Sequence, residues 1–324
     1  MTGGCGYIGS HICGKLASSN YQVVVIDNLS TGFLDNLKNN ETFYNVDLGD
    51  KERVQAIFRE EKFDAVMHLA ASISVSDSVQ DPLAYYRNNT VNTINLIESC
   101  TEFNVEKFIF SSTAAVYGDV DQDLVTEDSS LSPASPYGSS KLVDEWIIRD
   151  VGLASRMNYV ILRYFNVAGA DPLGQFGPRS KKESNHLFKV LCEVVSGKRD
   201  HLEVFGRDYD TPDGSGIRDY IHVSDLAEAH ICALKYLEAG EPSLLANCGY
   251  GHGYSVLDIL HAFEAVTGSS LPVIDAARRA GDPARVVADS KMARTKLGWQ
   301  PKFDDINELV RSAIRWEEYL GGKR

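Results

Sequence analysis

The chain has 324 residues, of which 44% are hydrophobic and 24% charged, and its formal net charge is −13. This composition is typical of a globular protein, and the length favours two domains. The negative charge argues against nucleic acid and acidic membranes as partners, and no apolar run approaches the ~18 residues that cross a bilayer. The six cysteines have no metal-binding spacing, which indicates a reduced, cytoplasmic protein without structural zinc.

Short apolar segments alternate with amphipathic segments through the first half of the chain. The segments typical of buried parallel strands are residues 21–26, 42–46, 65–69, 107–110 and 159–162. Those with the spacing of amphipathic helices are residues 10–18, 51–59, 82–101 and 136–150. This alternation predicts an α/β fold with a doubly wound parallel sheet of the Rossmann type.

The alternation ends after Asn166, where a passage rich in glycine and proline begins. We therefore expect a Rossmann-type domain over residues 1–167 and a second, smaller α/β domain over residues 168–324. Residues 217–240 have the pattern of one further strand and helix. We expect this unit to return to the first domain, so that the two domains are interleaved.

A glycine-rich loop opens the chain and leads into the first predicted helix. Gly3, Gly6 and Gly9 permit a tight turn and let backbone N–H groups approach a pyrophosphate at the helix N-terminus. Asp27 follows at the end of the next strand, where a carboxylate can accept both adenosine ribose hydroxyls and would repel a 2′-phosphate. These residues predict NAD rather than NADP as cofactor. In the alternative interpretation, Asp27 only caps the turn that follows it.

Further candidate cofactor contacts lie at the ends of neighbouring strands. Asp47 and Leu48 follow the second predicted strand and are expected at the edge of the adenine. Residues 68–71, with the sequence HLAA, end the next strand at the same carboxyl edge of the sheet. In an open parallel sheet this edge is where ligands bind.

A tyrosine and a lysine are spaced one helical turn apart. Ser135 and Pro136 predict an N-cap and a first helical residue, so Tyr137 and Lys141 share one face of the helix. A phenol with a pKa near ~10 is a poor base at pH 7, but a neighbouring cation and the helix dipole favour its anion. By itself this spacing more often marks a solvated helix face. The hydroxyl-rich end of the preceding strand, residues 111–113, favours a catalytic role.

Together these motifs resemble those of the extended short-chain dehydrogenase/reductases and, among them, the UDP-hexose 4-epimerases. The likeness extends over nearly the whole chain. It is carried by TGGCGYIGSH at 2–11, FSSTAAVYG at 110–118, LRYFN at 162–166, GIRDYIHV at 216–223, NCGYG at 247–251 and RRAGD at 278–282. The resemblance implies NAD-dependent interconversion of UDP-glucose and UDP-galactose through a transient 4-keto sugar, in a homodimer whose second domain binds the UDP-sugar.

The resemblance also implies a role for each motif residue. Tyr137 is the expected base for the sugar 4-hydroxyl, Lys141 is expected to lower its pKa, and Thr113 stands where the family usually has Ser. The expected NAD contacts are Gly3, Gly6, Tyr7, Ile8, Gly9, Asp27, Asn28, Asp47, Leu48, Leu69, Ala70, Ala71, Asn88, Ser111, Tyr137, Lys141 and Tyr164. The expected substrate contacts are Thr113, Tyr137, Asn166, Asn185, His186, Leu187, Glu203, Val204, Phe205, Arg218, Arg279, Asp282 and Val286.

Within the second domain the resemblance implies that different residues bind different parts of the UDP-sugar. Arg218 and Arg279 match ligands of the diphosphate, Asp282 matches a ligand of the uridine ribose, and residues 203–205 match the uracil contact. Val286 aligns with a position beside the C2 substituent of the sugar. Its small side chain predicts some turnover of N-acetylated UDP-hexosamines.

One departure limits the resemblance. The chain begins at Met1, whereas the family has an apolar strand before the glycine loop, and we expect Met1 to be the last residue of that strand.

Two alternative functions remain open, an epimerase for UDP-arabinose/xylose or UDP-glucuronate and a catalytically silent NAD-binding sensor. The intact Thr113, Tyr137 and Lys141 argue against the sensor. A 4,6-dehydratase is disfavoured because residues 114–115 are alanines, which cannot exchange protons.

Overall fold

The computed structural model describes residues 1–38, 40–120, 122–181, 184–279 and 282–322. Its strands are β1 Val24–Asp27, β2 Thr42–Asn45, β3 Val66–His68, β4 Lys107–Thr113, β5 Asn158–Tyr164, β6 Asn166–Ala168, β7 Leu202–Phe205, β8 Ile217–Arg218, β9 Tyr220–His222, β10 Leu244–Cys248, β11 Tyr254–Ser255, β12 Val273–Ala276 and β13 Arg285–Val286. Its α-helices are α1 Tyr7–Ser18, α2 Lys51–Glu61, α3 Val75–Gln80, α4 Pro82–Tyr85, α5 Asn92–Glu102, α6 Pro136–Ala154, α7 Leu187–Val195, α8 Val223–Glu238, α9 Val256–Thr267, α10 Lys291–Lys296 and α11 Ile306–Gly322.

The central sheet is parallel. Strand β2 pairs with β1, and β3, β4, β5 and β10 follow one another in that order. Residues 1–3 join the two parts of the sheet: the N–H of Ile26 donates to the carbonyl of Met1 at 2.9 Å, and the N–H of Thr2 donates to the carbonyl of Met67 at 2.9 Å. The carboxyl ends of these strands therefore share one edge, and the glycine loop lies at that edge.

Helices cover both faces of this sheet. On one face α1 packs against α8, and their buried side chains include Ile12 and Leu226. On the other face α2, α5 and α6 bury a second set of side chains, which includes Phe58, Leu96 and Ile148. This arrangement confirms the predicted doubly wound Rossmann-type α/β fold.

A smaller α/β unit has its own core. Helices α7, α9 and α11 enclose Leu191, Phe263 and Leu309 together with side chains of β7 and β9. The strands of this unit form short sheets, in which β7 pairs with β12, β6 pairs with β9, and β8 lies between β11 and β13. Helix α8 and strand β10 follow several of these strands in the chain but pack on, or within, the central sheet.

Several predicted elements have different bounds in the structure. Helix α1 begins at Tyr7 rather than at residue 10, because Gly6 is its N-cap. The stretch predicted as one helix over 82–101 contains a π-helical turn, Tyr86–Val91, between α4 and α5. This wider turn carries the buried Asn89, whose side chain reaches the neighbouring loop and α6. Such turns are frequent at functional sites.

Two further properties concern the described part of the chain as a whole. None of its helices combines the length and the apolar character that a membrane span requires. The same residues contain no group of three or more His, Cys, Asp or Glu side chains that could hold a metal ion.

Candidate active site

The glycine loop turns sharply between the sheet and α1. Gly3 has a φ of +72°, and a β-carbon at this position would lie 2.7 Å from a backbone nitrogen of the loop after β3. A β-carbon at Gly9 would overlap the carbonyl oxygen of Gly3. Among the described residues no side chain caps α1 at Gly6, so the N–H groups of Tyr7 and Ile8 remain available to an anion. The loop therefore has the shape that a pyrophosphate requires.

Carboxylates at the ends of β1 and β2 lie beside this loop. Asp27 is buried, and its two oxygens accept hydrogen bonds from the backbone N–H groups of Cys5 at 3.0 Å and Leu29 at 2.8 Å. Asp47 is exposed and accepts from the side-chain amide of Asn28 at 2.7 Å. The turn-capping interpretation of Asp27 is thus present in the structure. It is compatible with ribose binding, since each carboxylate oxygen has a second lone pair.

The loop after β3 forms the opposite wall. Residues 69–71 are half-buried, and the N–H of Leu69 donates to the carbonyl of Thr2 at 3.2 Å. The side-chain amide of Asn88 donates to the hydroxyl oxygen of Ser72 at 3.1 Å. Leu48, in contrast, is buried in the core beneath α2 and α5. The structure therefore brings most predicted cofactor contacts to one edge of the sheet.

Thr113, Tyr137 and Lys141 meet at the carboxyl end of β4. The ring of Tyr137 is 8% exposed and the side chain of Lys141 is 3% exposed. The Lys141 Nζ lies 3.9 Å from the centroid of the Phe110 ring, which belongs to β4. Thr113 is the register partner of Tyr164 on β5, and its hydroxyl lies near enough to the Tyr137 oxygen to hydrogen-bond with it. A base, a cation and a hydroxyl group are thus buried together.

Burial governs the electrostatics of this group. It raises the pKa of Tyr137 to about 12, and the hydrogen bond from Thr113 opposes the rise. Burial lowers the pKa of Lys141, and the carboxylates of Asp144 and Glu145 oppose that change. The direction for Tyr137 is opposite to the expectation that the lysine and the helix dipole favour the phenolate. The reason is that a buried ring loses the hydration that its anion needs.

A directed chain of hydrogen bonds lies behind Tyr164. The Nδ1 of His230 donates to the carbonyl of Leu226 at 2.9 Å, because that oxygen can only accept. The Nε2 of His230 therefore accepts from the hydroxyl of Ser111 at 2.7 Å. The Ser111 oxygen is in turn within hydrogen-bonding reach of the Tyr164 hydroxyl. Sequence reasoning missed His230, which lies 119 residues from Ser111 in the chain.

The predicted substrate residues of the smaller unit form a second group. Arg218 on β8 forms an ion pair with Asp282 and also donates to the carbonyl of Ile217 at 2.8 Å. The buried Val286 on β13 is the register partner of Arg218. A guanidinium has five N–H donors, so this ion pair leaves Arg218 with donors for phosphate oxygens.

Arg279 and Phe205 form the adjoining wall. The guanidinium carbon of Arg279 lies 3.8 Å from the centroid of the Phe205 ring, at the end of β7. Earlier in the same strand, Glu203 is exposed and Val204 is buried. The alternation places Glu203 and Phe205 on one face of the strand and Val204 in the core behind it.

Three further predicted substrate contacts lie on other segments of the chain, and the N–H of one of them, Asn166, donates to the carbonyl of Asp219 at 3.0 Å. Asn185 and His186 are exposed just before α7, which begins at Leu187. Within the residues that the structure describes, neither Asn185 nor His186 forms a hydrogen bond with the Arg218–Asp282 pair. Asn166 is exposed at the start of β6, at the carboxyl end of the central sheet.

Sequence reasoning also missed polar residues beneath the site. The buried amide of Asn89 accepts from the N–H of Ser72 at 2.8 Å and donates to the hydroxyl oxygen of Ser140 at 3.0 Å. On α6, Glu145 is bound by the buried Arg163 of β5, with Nη2 and Oε2 2.6 Å apart. The sequence does contain a signal for these contacts, because the residues involved are polar although they lie within otherwise apolar helix and strand patterns.

Comparisons with known proteins agree with this geometry. A family model described as NAD dependent epimerase/dehydratase family matches residues 1–249. The UDP-glucose 4-epimerase of Azospirillum brasilense is 48% identical over 320 residues, which cover 99% of this chain and 92% of that protein. A solved UDP-glucose 4-epimerase from Brucella ovis in complex with NAD is 40% identical, with a TM-score of 0.94 and coverage of 98% and 97%. The solved UDP-Glc/GlcNAc 4-epimerase from Campylobacter jejuni is 46% identical, with a TM-score of 0.86 and 98% coverage of both chains.

These matches confirm the resemblance that the motifs indicated. The family model spans more than half of the chain, and the relatives align over nearly all of it. The chain belongs to the NAD dependent epimerase/dehydratase family.

Proposed function

We propose that the chain is an isomerase that catalyses NAD-dependent 4-epimerisation of a UDP-hexose, through a transient 4-keto sugar. The observation that carries this proposal is the burial of Thr113, Tyr137 and Lys141 together at the carboxyl end of β4. A protein that only senses NAD has no use for a phenol and an ammonium group buried side by side. The names of the relatives support the same reaction.

NAD fits the residues at the edge of the sheet. The glycine loop has no room for a β-carbon at Gly3 or Gly9, and the lack of side chains there lets a pyrophosphate approach the backbone closely. We expect the remaining lone pairs of Asp27 to accept ribose hydroxyl groups. NAD, when bound, supplies the acceptor and donor of hydride and a positively charged ring. We propose that residues 1–167 hold this cofactor and that residues 168–324, interleaved with them around 217–240, hold the UDP-sugar.

Tyr137 takes the proton of the sugar 4-hydroxyl and returns it to the same oxygen after the sugar has turned. Its pKa of about 12 has to fall to near 7 for this step, which corresponds to about 7 kcal/mol of favourable interaction. Lys141 supplies one nearby positive charge that favours the phenolate, and the ring of the oxidised cofactor would supply another. The Thr113 hydroxyl stabilises the phenolate by donating to it.

The proposal is tested by Tyr137→Phe. Loss of a general base lowers kcat by about 10²–10⁴-fold, and the coupled assay for UDP-galactose conversion to UDP-glucose would measure this. Tyr21→Phe is the matched control, because it removes a phenol whose exposed hydroxyl donates to Glu238 at 2.8 Å and that is outside the predicted site residues. An unchanged rate in Tyr137→Phe would show that the phenol is not the base.

The predicted substrate residues support tight binding of the UDP half of the UDP-sugar. Arg218, Arg279 and Asp282 concentrate the charged groups there, whereas Val286 presents only a small apolar side chain. We propose that the space beside Val286 admits an N-acetyl group at C2, so that N-acetylated UDP-hexosamines are also turned over. Val286→Tyr should reduce turnover of UDP-N-acetylglucosamine selectively. Undetectable turnover of that sugar by the original protein, alongside good turnover of UDP-glucose, would contradict this proposal.

We further propose a cytoplasmic homodimer. Helices α5 and α6 pack against each other, and with α4 they expose large apolar side chains, among them Leu83 at 61%, Trp146 at 49% and Leu153 at 88% exposure. Pairing of these helices with those of a second copy would cover the exposed surface as a four-helix bundle. All six cysteines are unpaired, which supports a reducing compartment.

A further inference from the structure

Helix α6 carries a buried carboxyl group that none of the proposed steps uses. Asp144 has no exposed surface, and within the part of the chain that the structure describes its two oxygens accept no hydrogen bond. The hydroxyl of Thr90 lies near enough to lower the pKa of Asp144, but it donates to the carbonyl of Ser140 at 3.4 Å. Buried polar groups in proteins nearly always have partners, so a carboxyl group without one calls for a reason.

The candidate ionic partner of Asp144 is the ammonium group of Lys141. The two residues are three apart in α6, so they lie on the same face of the helix. Within the described residues the Lys141 Nζ forms no salt bridge, and it packs on the Phe110 ring. Burial lowers the pKa of Lys141, and Asp144 is the strongest opposing influence. Burial raises the pKa of Asp144, and Lys141 is the strongest opposing influence there.

The other ionisable groups around this pair are neutral or already paired. Glu145 follows Asp144 in the chain, but Arg163 of β5 binds its carboxylate through Nε at 2.9 Å and Nη2 at 2.6 Å. Burial keeps the remaining groups uncharged by raising the pKa of each phenol and lowering that of the imidazole. These neutral groups are Tyr85, Tyr137, Tyr164 and His68. Among the described residues, Asp144 is thus the carboxylate near Lys141 that has no other cation.

We propose that Asp144 is the counter-ion that keeps Lys141 protonated, and that it is thereby a positioning residue for the acid–base step at Tyr137. The charge pairing stands independently of the reaction, whereas its consequence for catalysis rests on the proposed function. Without the carboxylate, the buried ammonium loses its proton at a lower pH. Tyr137 then loses a cation that its phenolate needs.

The charge pairing is tested on the NAD-loaded protein labelled with [ε-¹³C]lysine, with the Lys141 resonance assigned by its absence in Lys141→Met. Asp144→Asn should lower the midpoint of the Lys141 titration by about one pH unit or more. Asp150→Asn is the matched control, because Asp150 is an exposed carboxylate on the same helix, and the Lys141 midpoint should not move. Superimposable titrations of Lys141 in all three proteins would overturn the proposal.

Thermal unfolding separates this role from a structural one. Asp144→Asn and the apolar variant Asp144→Val both leave the buried ammonium of Lys141 without its counter-ion, so both should lower the melting temperature. A structural role for the carboxylate predicts the same loss when Lys141 is absent, so an equal fall in melting temperature on adding Asp144→Asn to Lys141→Met would overturn the proposal. Two variants of different polarity also guard against a folding defect that is particular to one of them.

Catalysis provides the third measurement. With UDP-galactose as substrate, the alkaline limb of the kcat profile should move to lower pH in Asp144→Asn, while KM stays within about twofold, because no substrate contact is removed. If the original protein has no epimerase activity, the proposed function fails, whereas the lysine titration still decides the charge pairing. If Asp144→Asn shifts the titration but leaves the kcat profile unchanged, the positioning role is overturned.

Discussion

The buried ion pair between Arg163 and Glu145 fastens α6 to the central sheet. Both side chains are 1% exposed, and the Arg163 Nη2 lies 2.6 Å from the Glu145 Oε2. The hydroxyl of Ser112 donates to the same carboxylate, and the Arg163 Nη1 donates to the Tyr117 oxygen at 2.9 Å. Because α6 also carries Tyr137 and Lys141, this pair helps to set the position of the proposed acid–base group.

We predict that Glu145→Gln lowers the free energy of unfolding by about 3–5 kcal/mol. The amide keeps the shape of the side chain but not its charge, so Arg163 stays buried without a counter-ion. A loss of this size is a large part of the ~5–15 kcal/mol that stabilises a typical domain. The matched change is Glu98→Gln in the Lys51–Glu98 pair, whose side chains are 43% and 50% exposed. There we expect a loss below about 1 kcal/mol, since water screens an exposed pair.

Urea-induced unfolding, followed both by circular dichroism and by tryptophan fluorescence, would measure these differences where the two transitions coincide. A double change of Glu145 and Arg163 to Met should recover much of the stability, because neither charge is then left alone in the core. If Glu145→Gln is no more costly than Glu98→Gln, the pair is not desolvated as the structure indicates. If the double change is as unstable as the single one, hydrogen-bond geometry rather than charge is responsible.

Three further changes have defined outcomes. Gly9→Ala should abolish retention of NAD, because the added methyl group meets the carbonyl of Gly3. Retention is measured as the nucleotide that is released when the purified protein is denatured. The control Gly321→Ala should retain NAD, because the space around Gly321 is open. Burial lowers the pKa of His230 from 6.5 to about 4. As the pH falls, the imidazole therefore binds a proton in the unfolded chain before it does so in the folded protein. The free energy of unfolding should fall between pH 6.5 and pH 4 by up to about 1.4 kcal/mol per pH unit. His230→Gln should flatten that slope in urea midpoints. Trp146→Asp should convert the proposed dimer into monomers, measured by light scattering, because the half-exposed ring lies on the predicted contact face.

The features that sequence predicts well depend on local spacing. Each segment predicted as a strand in the first half overlaps one, because continuous apolar runs are required wherever both faces of a parallel sheet are buried. Tyr137 and Lys141 share a buried face because four residues make about one turn of an α-helix. The glycine loop meets the end of β3 because only glycines fit that turn. Each of these conclusions needs a dozen residues or fewer.

The features that sequence does not reveal join residues far apart in the chain. Ser111 meets His230, and Arg218 meets Asp282 across 64 residues, so no spacing rule connects them. The direction of the pKa change at Tyr137 depends on how deeply the ring is buried, which only the packed structure determines. The π-helical turn is equally hidden, because an extra residue in a turn leaves the apolar pattern almost unchanged.

The adjacent acids of α6 show why burial alone does not define the role of a charged residue. Glu145 and Asp144 are both buried, and a change to the amide removes the same charge from each. For Glu145 this change strands Arg163, so stability falls. For Asp144 this change strands Lys141, but a lysine can release its proton whereas an arginine cannot, so the loss of stability is smaller and Lys141 becomes easier to deprotonate. Unequal effects at neighbouring positions are therefore expected wherever one stranded cation can lose its proton and the other cannot.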